Sequence, residues 1–118
     1  NRGNSMVSGV IFHIDENSKW EVLLHNVKNL LLACKSNEYA VEVLANGDAV
    51  ASYVTPPSDI ARMMENLAKS NITFAACNNS MRGMKIKVED LFSFVKVVPV
   101  GVLELIQKQN EGYAYIKP

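Results

Sequence analysis

The stretch Ile72-Thr73-Phe74-Ala75-Ala76-Cys77-Asn78-Asn79-Ser80 puts a thiol where an apolar run gives way to turn residues. It reads as a buried strand ending on Cys77, with Ser80 capping a short helical turn over Met81 to Met84. A sulfur at a strand end and ahead of a helix faces backbone amide dipoles, which favour its anion. Its pKa would fall from about 8.5 toward roughly 7. Asn78 and Asn79 tolerate turn conformations and offer amide donors. Arg82, Lys85 and Lys87 follow closely and would raise the local potential. The plain alternative is a buried cysteine that acts as a small hydrophobe.

His13 is the other residue suited to proton chemistry, at the C-terminal end of the run Val7 to Ile14. If its strand lay beside that of Cys77, the two could form a Cys–His pair that activates the sulfur. The competing reading is a hydrogen-bonded strand-end histidine. His13, Asp15 and Cys77 could also bind a metal, but three mixed ligands without paired spacing are a weak signal. His25 falls on a polar helix face and reads as solvated. No G-x-G-x-x-G follows the first strand, and no G-x-x-x-x-G-K-[ST] or G-x-S-x-G appears. The first turn, Asp15-Glu16-Asn17, is acidic and would repel a phosphate. Dinucleotide, triphosphate and serine-hydrolase chemistry are therefore not indicated, and no cofactor or metal is expected.

The elements that must hold these residues alternate along the chain. Val7 to Ile14 is a β-branched strand without clean alternation, as in a strand covered on both faces. Trp20, Leu23, Leu24, Val27, Leu30, Leu31 and Cys34 recur at helical steps, so a helix is expected from about Ser18 to Lys35. Cys34 then lies on the packing face as an inert buried thiol, while Leu32 points outward. Tyr39 to Ala45 is a second strand, closed by Asn46-Gly47-Asp48. Ala49 to Val54 is ambiguous, with helix preferred because of the order of elements. Thr55-Pro56-Pro57 breaks the chain, and Ser58 caps a helix over Asp59 to Ser70. Its stripe of Ile60, Met63, Met64 and Leu67 reads as core and not as a methionine-rich metal site. After the Cys77 strand come a helical turn at Lys87 to Phe92, a strand at Phe94 to Pro99, a helix at Val102 to Asn110, and an edge strand at Tyr113 to Lys117.

Strands separated by helices imply right-handed crossovers and a mostly parallel sheet with helices on both faces. Ligands of such sheets bind outside the carboxyl ends of the strands. That rule collects His13 with Asp15, Asn46 with Gly47, Cys77 with Asn78, and Pro99 with Gly101.

The bulk composition fits one globular domain. The chain has 118 residues, 48% apolar and 20% charged, with twelve basic side chains against twelve acidic ones. Such balance gives no electrostatic footprint for nucleic acid or an anionic membrane. The two cysteines form no CxxC or disulfide framework. No apolar run is long enough to span a bilayer and no signal peptide is visible, so a cytoplasmic protein with reduced thiols is expected. Residues 1–5 read as an appended leader before a start at Met6, with the domain over 6–118.

The segments His13-Ile14-Asp15-Glu16, Val41-Glu42-Val43-Leu44-Ala45-Asn46-Gly47, Phe74-Ala75-Ala76-Cys77-Asn78-Asn79-Ser80 and Val97-Val98-Pro99-Val100-Gly101-Val102 resemble the DsrE/DsrF-like family. So do Glu104 to Gln109 and the aromatic ending Gly112-Tyr113-Ala114-Tyr115-Ile116. The likeness runs in order over nearly the whole chain and is nearest to the family's small single-domain branch. It implies a flavodoxin-like three-layer α/β/α sandwich with a mostly parallel five-stranded sheet. In better understood relatives a cysteine in the matching loop carries sulfane sulfur as a persulfide, and the proteins assemble as trimers or hexamers. The matching position is Cys77. The residues themselves, and not the resemblance, add His13 as an assisting group and Asp15, Asn46, Gly47, Asn78, Asn79, Ser80 and Gly101 as the pocket lining. A sulfur carrier with donor and acceptor proteins is the function that the resemblance implies. A non-catalytic oligomeric module that binds a small molecule or protein in the same crevice is the alternative. Leu32, the Tyr53-Val54 segment and the aromatic tail supply the apolar surface expected of a homo-oligomer.

Overall fold

The computed structural model of the protein describes residues 8–34 and 38–118. Five strands form one sheet: β1 (Ser8–Ile14), β2 (Tyr39–Ala45), β3 (Thr73–Cys77), β4 (Val95–Val98) and β5 (Ala114–Ile116). Their spatial order is β4-β3-β2-β1-β5, and every pairing is parallel. Four α-helices accompany them: α1 (Trp20–Ala33), α2 (Ser58–Ala68), α3 (Asn78–Gly83) and α4 (Gly101–Asn110).

Each strand divides its side chains by parity, because successive residues face opposite sides. Val10, Phe12 and Ile14 of β1, Val43 and Ala45 of β2, and Phe74 and Ala76 of β3 face the larger core under α1, α2 and α3. Trp20, Leu23, Leu24 and Val27 fill it from α1, and Ile60, Met64 and Leu67 from α2. Among the described residues, α4 is the one helix that covers the opposite face. Its core is small: Ile11, Leu44, Ala75, Val98 and Leu105, with Tyr113 against it. The two faces make the expected three-layer sandwich, and both carry apolar side chains, which is why β1 lacks alternation.

The ambiguous stretch after β2 is a 3-10 helix over Gly47–Tyr53. It folds inward because Tyr53 is wholly buried, with its ring 5.2 Å from Trp20 and 6.2 Å from Phe74. Tyr53 is therefore core, and not the exposed apolar surface expected of it. Trp20 fixes the same segment by donating from Nε1 to the Ala49 carbonyl at 2.9 Å.

Other boundaries move by a residue or two. A 3-10 turn (Asn17–Lys19) leads into α1, and the expected helix end at Lys35 lies outside the described residues, as do residues 1–7. Cys34 sits just past Ala33 and is half-buried, less enclosed than its stripe position suggested. Ser58 is the first residue of α2 and makes no cap bond; Pro57 precedes it in the cap position. Leu32 points outward as expected, 76% exposed. None of the helices among the described residues is long and apolar enough to cross a membrane.

Candidate functional site

Cys77 is the last residue of β3 and the N-cap residue of α3. Helix α3 therefore begins at Asn78, and Ser80 lies inside its first turn instead of capping a later one. A helix start leaves backbone N–H groups without intrahelical partners. Those of Asn79 and Ser80 stabilise charge on the Cys77 sulfur, although no cap bond of regular geometry closes. A second helix start converges on the same atom: the Gly101 amide, first in α4, donates to Cys77 Sγ at 3.3 Å.

The result is a buried sulfur, 5% exposed, set among polar donors. Burial pushes its thiol pKa up, but the Ser80 amide and hydroxyl, then the Gly101 and Asn79 amides, bring it below the ordinary value. The lowering comes from these donors and not from the cations downstream. Arg82, Lys85 and Lys87 are all exposed, and Arg82 donates to Asn79 Oδ1 at 2.8 Å. Asn79 thus serves the sulfur through its backbone, with its side chain engaged elsewhere.

Ser80 is oriented by a third element. Its Oγ accepts from the Gly47 amide at 2.8 Å, which turns the hydroxyl proton toward Cys77. Gly47 has φ +57°, and a Cβ there would stand 2.8 Å from the Asp15 carbonyl oxygen. Only glycine fits that corner without strain. Gly101 is equally constrained by space: a Cβ on it would come within 3.2 Å of both Cys77 Cβ and Leu44 Cδ1, and 3.5 Å of Asn46 Cβ. A side chain on Gly101 would push Cys77 or Leu44 by a few tenths of an ångström and so disturb the approach of its amide to the sulfur.

His13 does not adjoin Cys77. Strand β2 lies between β1 and β3, so the two residues sit two strand spacings apart, about 10 Å. The proposed condition for a direct Cys–His pair, adjacent strands, is not met. His13 instead joins a chain across the strand ends. Its Nε2 donates to Asn46 Oδ1 at 2.9 Å, and its Nδ1 accepts from the Tyr115 hydroxyl at 2.7 Å. Tyr115 carried no chemical signal of its own in the sequence. Its role follows from the pairing of β5 with β1. Asn46 is the link between the halves, bonded to His13 on one side and packed beside Gly101 on the other.

Asp15 stands apart from the sulfur. Its carboxylate lies 3.4 Å from Lys117 Nζ, and its carbonyl holds the Gly47 corner. Asn78 is half-buried and opens α3. Among the described residues no group of three His, Cys, Asp or Glu side chains is placed to hold a metal ion. His13, Asp15 and Cys77 thus do not form the ligand set considered above.

Residues 24–118 match the model of the DsrE/DsrF-like family, a span that includes the Cys77 loop and all of α4. A structure of a protein of unknown function, MTH1491 from Methanobacterium thermoautotrophicum, is similar over 94% of this chain and 99% of its own, with 33% identity and a TM-score of 0.85. A structure of BT1422 from Bacteroides thetaiotaomicron, also of unknown function, covers 98% of this chain and 100% of its own, at 13% identity and a TM-score of 0.75. The ychN protein from E. coli covers 97% and 100%, at 14% identity and a TM-score of 0.69. The latter two likenesses speak to the fold alone. No curated protein matches the sequence. A family match over most of its length makes this chain a member of the DsrE/DsrF-like family, and its five-stranded sheet, expected to be mostly parallel, is parallel at every pairing.

Proposed function

We propose that Cys77 is a sulfur carrier. One observation carries the reading: the starts of two helices and a hydroxyl converge on a single sulfur and lower its pKa. A thiolate so stabilised attacks the outer sulfur of a donor persulfide. The new bond joins Cys77 Sγ to that sulfur, the donor's S–S bond breaks, and its electron pair leaves with the donor as thiolate. In the return step an acceptor thiolate takes the same outer sulfur and Cys77 departs as thiolate, again stabilised by the Gly101, Ser80 and Asn79 amides. No net oxidation occurs in either step. His13, tied to Asn46 and Tyr115, takes part at the rim and not at Cys77 itself. Donor and acceptor are proteins or small thiols able to reach a recessed sulfur.

Intact mass after incubation with a persulfide donor tests the proposal. Wild type gains one sulfur and Cys77→Ser gains none. Equal loading of the two, or no loading of wild type, rejects it.

The protein also assembles with copies of itself, on this proposal. Val102, Leu103 and Ile106 stand exposed along the outer face of α4, with Val100 at its start and Tyr115 on β5 beside it. Apolar surface of that extent next to a site favours an interface between subunits. This face and Leu32 replace the Tyr53 contribution expected from the sequence.

A further inference from the structure

The face under α4 holds a second group of titratable side chains that sulfur transfer does not use. Glu42 projects from the middle of β2 and is 3% exposed; Glu104, in the first turn of α4, is 9% exposed. The two carboxyls are close enough for Glu104 to raise the Glu42 pKa, by hydrogen bonding and by charge. Oε1 of Glu42 lies 3.9 Å from Lys108 Nζ. Oε2 of Glu42 and Oε2 of Glu104 receive no donor from the described residues. Two buried carboxylate oxygens without donors face a steep cost. A proton on Glu42 supplies a donor within the pair and removes the like-charge contact with Glu104.

We propose that a proton held by Glu42 against Glu104 seats α4 on the sheet, and that losing it frees the start of α4 and uncovers the Cys77 sulfur. The connection is short. Glu104 lies three residues beyond Gly101, its amide bonded to the Val100 carbonyl at 3.1 Å in the same helical turn. The Gly101 backbone lies against Cys77, its amide donating to Sγ at 3.3 Å. Once Glu42 is charged, repulsion acts between β2 and the first turn of α4.

The neighbours of Glu42 do not neutralise that repulsion. From α4 it faces Glu104 and Lys108, and from β4 Lys96; Tyr53 lies across the sheet. Its register partners, Ile11 on β1 and Thr73 on β3, carry no charge. Lys108 is divided among Glu42, Glu111 at 3.7 Å and the Tyr113 ring. Burial first, then the hydrogen bond and the charge of Glu104, push Glu42 up to about 8, against the pull of Lys108 and Lys96. The switch thus operates at mildly alkaline pH. Glu42 and Glu104 are positioning residues, acting on the sulfur through α4.

The inference deepens the sulfur-carrier reading, but its test uses neither persulfide nor donor, so the two fail separately. In the full-length Cys77→Ser protein the thiol titration is gone, and the Gly101 amide is followed by NMR from pH 6 to 10. An inflection near pH 8 that vanishes on adding Glu42→Gln is expected, because the Gln amide replaces the proton permanently. In protein with Cys77 intact, iodoacetamide reaction at pH 9.5 should be at least threefold faster for wild type than for Glu42→Gln, with rates within twofold at pH 6.5. Glu104→Gln serves if Glu42→Gln does not fold. A Gly101 signal without an inflection between pH 7 and 9 overturns the proposal, as does equal alkylation of wild type and variant at pH 9.5.

Discussion

A cysteine at a helix start gains little from its own side chain; what distinguishes Cys77 is the company of Ser80. The Ser80 hydroxyl can give its proton to the sulfur because the Gly47 amide has taken its lone pair. Ser80→Ala removes one donor worth about 0.5–1.5 kcal/mol, so the Cys77 pKa should rise by roughly half a unit to one unit. The rate of iodoacetamide reaction against pH measures it. Gly47→Ala should act on the same thiol at second hand. A side chain at φ +57° against the Asp15 carbonyl costs at least about 1–2 kcal/mol, and relief moves the Gly47 amide off Ser80. Denaturant unfolding should show that loss, with the thiol pKa rising in parallel. The candidate positions were legible in the sequence because strand ends in a parallel sheet converge. Their partners were not. Asn79 was expected to use its amide side chain and uses its backbone, since a helix starting at Asn78 turns that side chain toward Arg82.

Helix α4 is the element on which the site depends, and it rests on an uneasy base. The unfolded chain gives up the Glu42 proton near 4.5, whereas the fold keeps it until about 8. Between these values the unfolded state binds fewer protons than the folded one, so stability is full below 4.5 and falls as pH rises toward 8. The slope attributable to Glu42 is at most about 1.4 kcal/mol per pH unit. Thermal or urea unfolding across this window should show that decline in wild type, and Glu42→Gln should flatten it. A charged residue in the middle of the apolar strand YAVEVLA was the visible sign of something unusual on β2. Its partner was hidden, because Glu104 looks like an ordinary first-turn acid on α4 until the helix is laid over β2. The 3-10 segment before α2 shows the same limit. Its inward turn is decided by Tyr53, whose hydroxyl donates to the Ala75 carbonyl at 3.1 Å. Tyr53→Ala should cost about 3–5 kcal/mol through the cavity left between Trp20 and Phe74, measurable by urea unfolding.

At the scale of the molecule, the uneven covering of the sheet matters most. Among the described residues, three helices share one face and α4 alone serves the other. The exposed Leu103 and Ile106 on α4 then face outward from the thinner side. Leu103→Lys should leave monomer stability within about 0.5 kcal/mol and lower the mass seen by light scattering. A wild-type mass equal to one chain would remove the assembly proposal. Alternation of strands and helices announced the layers and the parallel sheet. It did not announce the order of strands, because sequence neighbours need not be sheet neighbours. That order decided the fate of His13: with β2 on one side and β5 on the other, it meets Asn46 and Tyr115 instead of the sulfur.

The order β4-β3-β2-β1-β5 also bears on how the chain is made. Of the five described strands the first in sequence, β1, is an interior strand of the sheet, but one flank of it waits for β5. Until Ala114–Ile116 has been synthesised and has crossed over, the backbone groups on that flank of Ser8–Ile14 stay unsatisfied and open to stray pairing. A chain that stops at Asn110 would keep this flank bare for good. Such a truncation should accumulate in aggregates at concentrations where the whole protein stays in solution.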